Sequence, residues 1–465
     1  MGISGEVALA AAKKYTEETV LGGGAIKGKN CVINSISPIT GGNRVEFGWT
    51  LDDGTEQSAN MDVMNGKETN LKLYNVLDYG LVADGTTDNS AAFTAMLGTV
   101  PTGANVFFPQ GKYMFKSPIT VTRTTMSLIG EVEQSNNSTG ASNNSVMAML
   151  IYDGDAGTTF LSGGSNCWTF VINNLHFVCP NGFDLAMNAA DYTSLPYNLY
   201  TYTATKDNIN GVDSVNGVDI INCSFRGFSG SGIKMGIHHR VRNCVFHDCR
   251  IGLECKYDNM VNNCYFNECE TAIKVLAQGS GDSAWTTFNI SDTWIDQCGW
   301  GIYMDAPQCM LLASNVWMSM FDYAAIQSTG KFYNSKIDGS LTRAGMRWAG
   351  LDEADRTAAI AEEADGIVAT KFENCEISMI IHKRNIGQGK NKNAVCPSRA
   401  ITATNGVFES CVITTPSTSG ADLFDTAMVT SMPHTIVYAK DTNTFSQIAA
   451  SSSDFADFKT KMTAL

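Results

Sequence analysis

Asn222-Cys-Ser-Phe225, Asn243-Cys-Val-Phe246 and Asn263-Cys-Tyr-Phe266 begin 21 and 20 residues apart. Weaker copies of the tetrapeptide extend the series in both directions: Asn174-Leu-His-Phe177, Asp292-Thr-Trp-Ile295, Asn315-Val-Trp-Met318, Asn334-Ser-Lys-Ile337, Asn374-Cys-Glu-Ile377 and Ser410-Cys-Val-Ile413. A second column follows at a fixed offset, Cys249, Cys269 and Cys298, with Ile251, Thr271 and Trp300 two residues further on. Self-similarity at a period near 20 residues is the mark of a solenoid. With two or three short strands per period, each repeat makes one coil of a parallel β-helix, and the coils stack at the ~4.8 Å spacing of neighbouring strands. The Asn column then becomes an amide ladder at a turn, and the Cys and Phe columns become interior stacks. The competing reading of the cysteines, metal or redox chemistry, lacks the Cys-x-x-Cys pairs it would need.

Bulk properties agree. The 465 residues carry a formal charge of −14 with no basic stripe, which excludes nucleic acid as a partner and leaves neutral or cationic glycans compatible. Residues 1–20 place Glu6, Lys13, Lys14, Glu17 and Glu18 where a signal peptide needs an apolar core, so they read as a short exposed helix, and no segment reads as inserting in a membrane. The fourteen cysteines, mostly at apolar strand positions, read as buried free thiols of a protein folded in a reducing cytoplasm.

Upstream of the repeats stands a second pattern. Asn75-Val-Leu-Asp-Tyr-Gly80 and Ala83-Asp-Gly-Thr-Thr-Asp88 lead into a helix over residues 89–98, with Asp88 as N-cap and Ala92, Phe93, Met96 and Leu97 as its apolar face. Strands over Asn105-Val-Phe-Phe-Pro-Gln-Gly-Lys-Tyr113 and Met126-Ser-Leu-Ile-Gly-Glu131 complete it. This stretch resembles the opening of the pectate-lyase-superfamily β-helix of phage tailspikes and polysaccharide-degrading enzymes. The resemblance covers residues 70–415 and implies an all-β chain, a right-handed single-stranded parallel β-helix. In that family the helix covers an end that would otherwise expose apolar core and unpaired strand edge.

The expected organisation is a small N-terminal helix-plus-β module over residues 1–68, the β-helix opening over 69–131, coils over 132–416, and a C-terminal cap over 417–465. Register gaps at 178–215, 277–287, 338–369 and 382–400 read as inserted loops, with a helix at 352–364. In the N-terminal module Val45, Phe47, Trp49 and Leu51 alternate with polar residues before a turn at Asp52-Asp53-Gly54-Thr55. So small a sheet needs copies of itself or a partner to be stable. The runs Gly22-Gly-Gly-Ala-Ile-Lys-Gly-Lys-Asn-Cys31, Phe47-Gly-Trp-Thr-Leu-Asp-Asp-Gly-Thr55 and Met61-Asp-Val-Met-Asn-Gly66 resemble a segment of tail-fibre and tail-tip proteins from phages of Gram-positive bacteria. Together the resemblances imply a homotrimeric tailspike-like receptor-binding protein of the virion. Its residues 1–68 would attach to a tail or baseplate protein, and its target would be a bacterial surface glycan. The alternatives are a non-catalytic tail protein and a free bacterial polysaccharide lyase or hydrolase.

A glycan site needs an apolar platform and carboxylates beside the glycosidic bond. Two residues past the anchor, consecutive coils place Tyr265, Trp294 and Trp317 outward, a ladder suited equally to a long glycan or to a trimer interface. Four and five residues past the anchor lie Arg226, His247, Asp248, Asn267, Glu268 and Asp296. Carboxylates one coil apart should stand roughly 5 Å from each other and two coils apart roughly 10 Å, which brackets the retaining and inverting geometries of glycosidases. Asp248 with Glu268, or Glu268 with Asp296, can therefore form the catalytic pair, and Arg226 and His247 join the aromatics as binding residues. The bland alternative is a solvated turn face. Lys234, Glu254 and Lys274 form a further outward column that reads as an alternating-charge ladder. Outside the turn at Asp52-Asp53, the sequence offers no Asn-Thr-Asp, no paired catalytic Asp-Asp and no Gly-His-Gly signature of better-known β-helix enzymes, and no ligand set for a metal or cofactor.

Overall fold

The computed structural model describes residues 31–39, 42–50, 54–64, 73–122, 125–131, 147–163, 170–180, 183–187, 200–319, 321, 324–342, 365–382, 399–415, 423–424, 429–439, 456–457 and 460. The expected helices at 1–20 and 352–364 lie outside them. The chain divides into two compact units, residues 1–72 and 73–465.

In the first unit, Cys31–Ile39, Gly42–Thr50 and Glu56–Met64 form a three-stranded antiparallel sheet. Thr50 pairs with Glu56, and residues 51–53 of the expected turn lie outside the described residues.

The second unit is a right-handed parallel β-helix whose long sheet contains only parallel pairings. One coil consists of Ser231–Ile237, Arg240–Arg242 and Val245–His247. The next begins at Ile251–Cys255, which lies directly on Ser231–Ile237 and puts Glu254 opposite Lys234. Coil on coil, the first strands build one face, the second strands another and the third strands a third. The third column runs Leu175–Val178, Ser224–Arg226, Val245–His247, Tyr265–Asn267 and Trp294–Asp296, then into the far half of Gln308–Ser319. It continues to Ile436–Ala439, which pairs with Val412–Thr415 and carries the coil register beyond residue 416.

The quoted tetrapeptide is the corner between second and third strands. Its first residue turns the chain in the left-handed region: φ is 54° at Asn222, 54° at Asn243 and 50° at Asn263. Asn tolerates that conformation better than other side-chain-bearing residues. Its amide then joins the coils, as Asn243 Nδ2 donates to Asn222 Oδ1 at 3.1 Å and Asn263 Nδ2 to Asn243 Oδ1 at 2.9 Å. The second residue turns inward. Cys223, Cys244 and Cys264 are buried and free, as are Cys249, Cys269 and Cys298 at the next corner. Burial pushes the thiols of Cys244, Cys249, Cys264 and Cys269 well above their ordinary range, so they remain protonated and inert. The fourth residue fills the core. Phe177, Phe225, Phe246 and Phe266 stack at 4.8, 5.3 and 4.5 Å between successive centroids. Full burial of each ring is worth about 2–3 kcal/mol before any stacking term.

Space for these rings comes from a column of small residues opposite them. A Cβ on Gly252 would lie 2.7 Å from the Ala272 carbonyl oxygen and 2.8 Å from the Phe266 ring.

The end of the helix is covered by Ser90–Thr99, which buries Phe93, Met96 and Leu97 as its sequence requires. The cap itself differs by one residue from expectation. Asn89, not Asp88, is the N-cap. Its Oδ1 accepts from Val82 N and its Nδ2 donates to the carbonyls of Val82, Thr87 and Met114, a set that needs both a donor and an acceptor. Asp88 stands outside the helix and accepts from Ser90 N and Oγ. No helix among the described residues is long and apolar enough to cross a membrane.

Candidate functional site

The parallel register decides which outward side chains share a row. Tyr265 pairs with Trp294 and Trp294 with Trp317, so the three aromatics are neighbours on consecutive coils. Trp294 is 49 % exposed, while Tyr265 and Trp317 are half-buried. Their rings do not form a flat shelf. Tyr265 meets Trp294 at 5.9 Å and 89°, and Trp294 meets Trp317 at 4.2 Å and 80°. Upstream the same row holds Val245, Ser224 and His176, all buried. His176 Nδ1 bonds Ser224 Oγ, and burial lowers its pKa to about 4.

Two residues along each strand runs the row Arg226, His247, Asn267, Asp296 and Ser319. The next position turns the chain, with φ of 79° at Gly227, 53° at Asp248, 54° at Glu268 and 53° at Gln297. Asp248 and Glu268 thus belong to one column, and Asp296 to the row beside it.

Four of the expected residues converge. Asp248 Oδ2 accepts from Arg226 Nε at 3.2 Å and lies 3.1 Å from Nη2, so both nitrogens converge on one carboxylate oxygen. His247 lies between the two carboxylates: Nδ1 is 2.7 Å from Asp248 Oδ2 and Nε2 is 3.1 Å from Glu268 Oε2. The shorter contact is not aligned as a hydrogen bond. Burial raises the Glu268 pKa, His247 opposes that shift and Asp248 adds to it. Burial likewise raises Tyr265, with Asp296 and Glu268 adding.

The alternative of a solvated turn face does not hold for the whole row, because Asp248, Asn267 and Asp296 are buried at 5, 7 and 9 % exposure. Of the two carboxylate pairings, the structure gathers Asp248 and Glu268 around His247 and leaves Asp296 in the neighbouring row.

His247, Asp248 and Glu268 offer ligand atoms within 4.8 Å of one another. They fit a cation poorly, because Arg226 already brings positive charge onto the Asp248 oxygen that would bind it.

The Lys234–Glu254–Lys274 column is in register, with Lys234 Nζ 3.6 Å from Glu254 Oε1. Sequence reasoning stopped short of its full length, since Asp213 precedes Lys234 and Tyr303 and Gln327 follow Lys274. His239, beside His238, is a buried structural residue whose Nδ1 accepts from Val218 N.

Residues 73–303, just under half of the chain, match the family model described as rhamnogalacturonase A/epimerase, pectate lyase-like. All the residues of the convergent cluster fall inside that span, and Trp317 falls beyond it. No curated protein matches the chain. Among solved structures, the family 28 exopolygalacturonase of Yersinia enterocolitica is similar at 13% identity over 92% of this chain and 89% of that one, with a TM-score of 0.41. The enzymatically active domain of bacteriophage CBA120 tailspike protein 2 is similar at 10% identity over 89% and 59%, with a TM-score of 0.46. The ORF18 protein of Geobacillus virus E2 is similar at 12% identity over 74% and 68%, with a TM-score of 0.38.

Proposed function

We propose, from the premise that this chain is a pectate-lyase-like right-handed parallel β-helix, that it is a tailspike-like receptor-binding protein of a phage or prophage. It binds a bacterial surface polysaccharide along Tyr265, Trp294 and Trp317 and cleaves it beside them. In this reading the chain works as a homotrimer in the virion, attached to the tail or baseplate through residues 1–68. The observation that carries the reading is the outward aromatic row beside the carboxylates, with Glu268 three residues past Tyr265 and Asp296 two residues past Trp294. Aromatic faces hold sugar rings, and a pair of carboxyl groups is the machinery of glycoside cleavage. The resemblance of residues 22–66 to phage tail segments supports the virion assignment.

Glu268, which burial keeps protonated to higher pH, serves as the acid, and Asp248, paired with Arg226, as the second carboxylate. Oxygens no more than 4.8 Å apart favour the retaining arrangement, whose carboxyl groups stand about 5–5.5 Å apart, over the inverting one. Asp296 and His247 flank the pair.

Trp294→Ala tests the binding half of the proposal. The substitution should weaken glycan binding by about 1–3 kcal/mol, the range of aromatic stacking on other ligands. Melting temperature and oligomeric state should stay unchanged, because the side chain is half exposed. Dissociation of the trimer with unaltered glycan binding would instead make the row an interface between subunits.

A further inference from the structure

We infer that one strip of the β-helix, running beside the Asn corner from Asp219 to Ile436, is the contact between copies of this chain, and that the copies lie side by side pointing in the same direction. The inference rests on the homotrimer reading above and names the surface that makes it. The glycan site plays no part in it.

The strip is a single outward row of nine residues, handed from coil to coil by parallel pairing. Four of them are large apolar side chains in solvent: Met260, Leu312, Val412 and Ile436 are 54, 40, 40 and 51 % exposed. The first-strand face carries no exposed large apolar side chain among the described residues. Four more are charged, and they cancel in pairs. Arg240 Nε lies 3.8 Å from Asp219 Oδ1, and Lys336 Nζ lies 3.3 Å from Glu376 Oε1. The ninth is Asn289. Two chains that each carry a net charge of −14 repel one another, and a neutralised row is where they can approach. Exposed apolar side chains aligned on such a row mark a contact surface.

The corner beside the row is uninterrupted over the same coils. From Asn222 to His434 each coil turns it on one left-handed residue. The register gaps at 178–215, 338–369 and 382–400 open between third and first strands, and the gap at 277–287 opens between first and second. The aromatic row stands five residues further along the coils, Tyr265 from Met260, Trp294 from Asn289 and Trp317 from Leu312. Association along the strip therefore leaves the aromatics open.

The occupant follows from the repeat. A partner must match nine rungs at the strand spacing, and a second β-helix of identical repeat does so along its whole length. Eight steps of ~4.8 Å make the strip about 38 Å long, so a contact about 20 Å wide supplies the ~800 Å² per partner of a stable interface. Direction follows from the order of the rungs. With copies in the same direction, each apolar side chain meets its own counterpart, and each charge keeps the counterion of its own chain. Reversed, Met260 would face Glu376, Val412 would face Arg240 and Ile436 would face Asp219. Rotation about an axis parallel to the strip generates the first arrangement and closes a ring.

The test uses the full chain. Met260→Cys and Leu312→Cys place a thiol on the strip and Lys274→Cys places one on the first-strand face, with the wild type oxidised in parallel. Sedimentation equilibrium of the wild type should find a multiple of the 50.1 kDa chain. Mild oxidation should join copies in Met260→Cys and in Leu312→Cys and leave Lys274→Cys and the wild type unjoined. Leu312→Asp should weaken association about tenfold or more with the circular dichroism of the wild type retained, and if that variant does not fold, the cross-linking decides. A multimer that is joined in Lys274→Cys, or in neither strip variant, would overturn the inference and leave the homotrimer reading in place. Joining in Leu312→Cys alone, the rung that meets itself in either direction, would overturn the same-direction arrangement. A wild-type chain that sediments as a monomer would overturn the homotrimer reading and the inference with it.

Discussion

Cys244→Asp should destabilise the β-helix by at least about 4 kcal/mol, beyond the range of ordinary point substitutions. Cys244 is 1 % exposed, and its sulfur faces two carbonyl oxygens, Ile220 O at 3.6 Å and Arg242 O at 3.2 Å. A thiol can donate to either. A carboxylate in the same place would meet acceptors on both sides and the thiols of Cys223 and Cys264 above and below. The sign of the pH dependence follows. Burial raises the folded-state pKa of the new acid above its unfolded value near 3.9, so the folded state retains a proton that the unfolded state has lost. The deficit should therefore be smallest below about pH 4 and should grow as pH rises above it. Denaturant melts of the variant at two pH values check both the size and the sign. A loss under about 1 kcal/mol, or one independent of pH, would mean that the column is not closed to solvent.

Glu268→Gln should reduce glycan cleavage by roughly 10²–10⁴-fold while leaving affinity nearly intact. The amide preserves the shape of the side chain and its place in the turn, but it cannot deliver a proton or take one up. In the wild-type protein the raised pKa of Glu268 implies that activity falls as pH climbs through that raised value, because the acid form is the one that protonates the leaving oxygen. The residual activity of Glu268→Gln should have lost this alkaline limb. Reducing-end release against pH, measured on both proteins, reads out the two effects. Full activity in the variant would move the chemistry to another surface of the molecule.

The parts of this molecule legible in its sequence are those that the coil repeat enforces. Asn222, Asn243 and Asn263 could be aligned because each must take a left-handed corner and hand its amide to the next coil. Phe225, Phe246 and Phe266 could be aligned because each coil stacks its ring on that of the next. The same register carried Tyr265, Trp294 and Trp317 into one row, and Arg226, His247 and Asp296 into another. Periodicity could not say how deeply an outward row is covered. Asp248 and Asp296 lie on a face that the bland alternative leaves solvated, and both are buried. Nor could it say which acids meet. Glu268 is equally near Asp248 and Asp296 by coil count, and the choice rests with His247, whose ring bridges the first pair. The Asp88 and Asn89 pair shows the same limit. Both can cap a helix, and the contact with Met114 O, 25 residues away, selects the one that can donate.

The central claim is that the row at Tyr265, Trp294 and Trp317 is the surface that meets the glycan, and hydroxyl-radical footprinting of the intact protein tests it directly. Trp294 should be oxidised readily in the free protein and protected when a host polysaccharide is added, with Tyr265 and Trp317 protected alongside it, while Tyr303 on the Lys274 face stays unchanged. A Trp294 that is unreactive before any glycan is added, or protection that falls on Tyr303 and spares Trp294, would contradict the account.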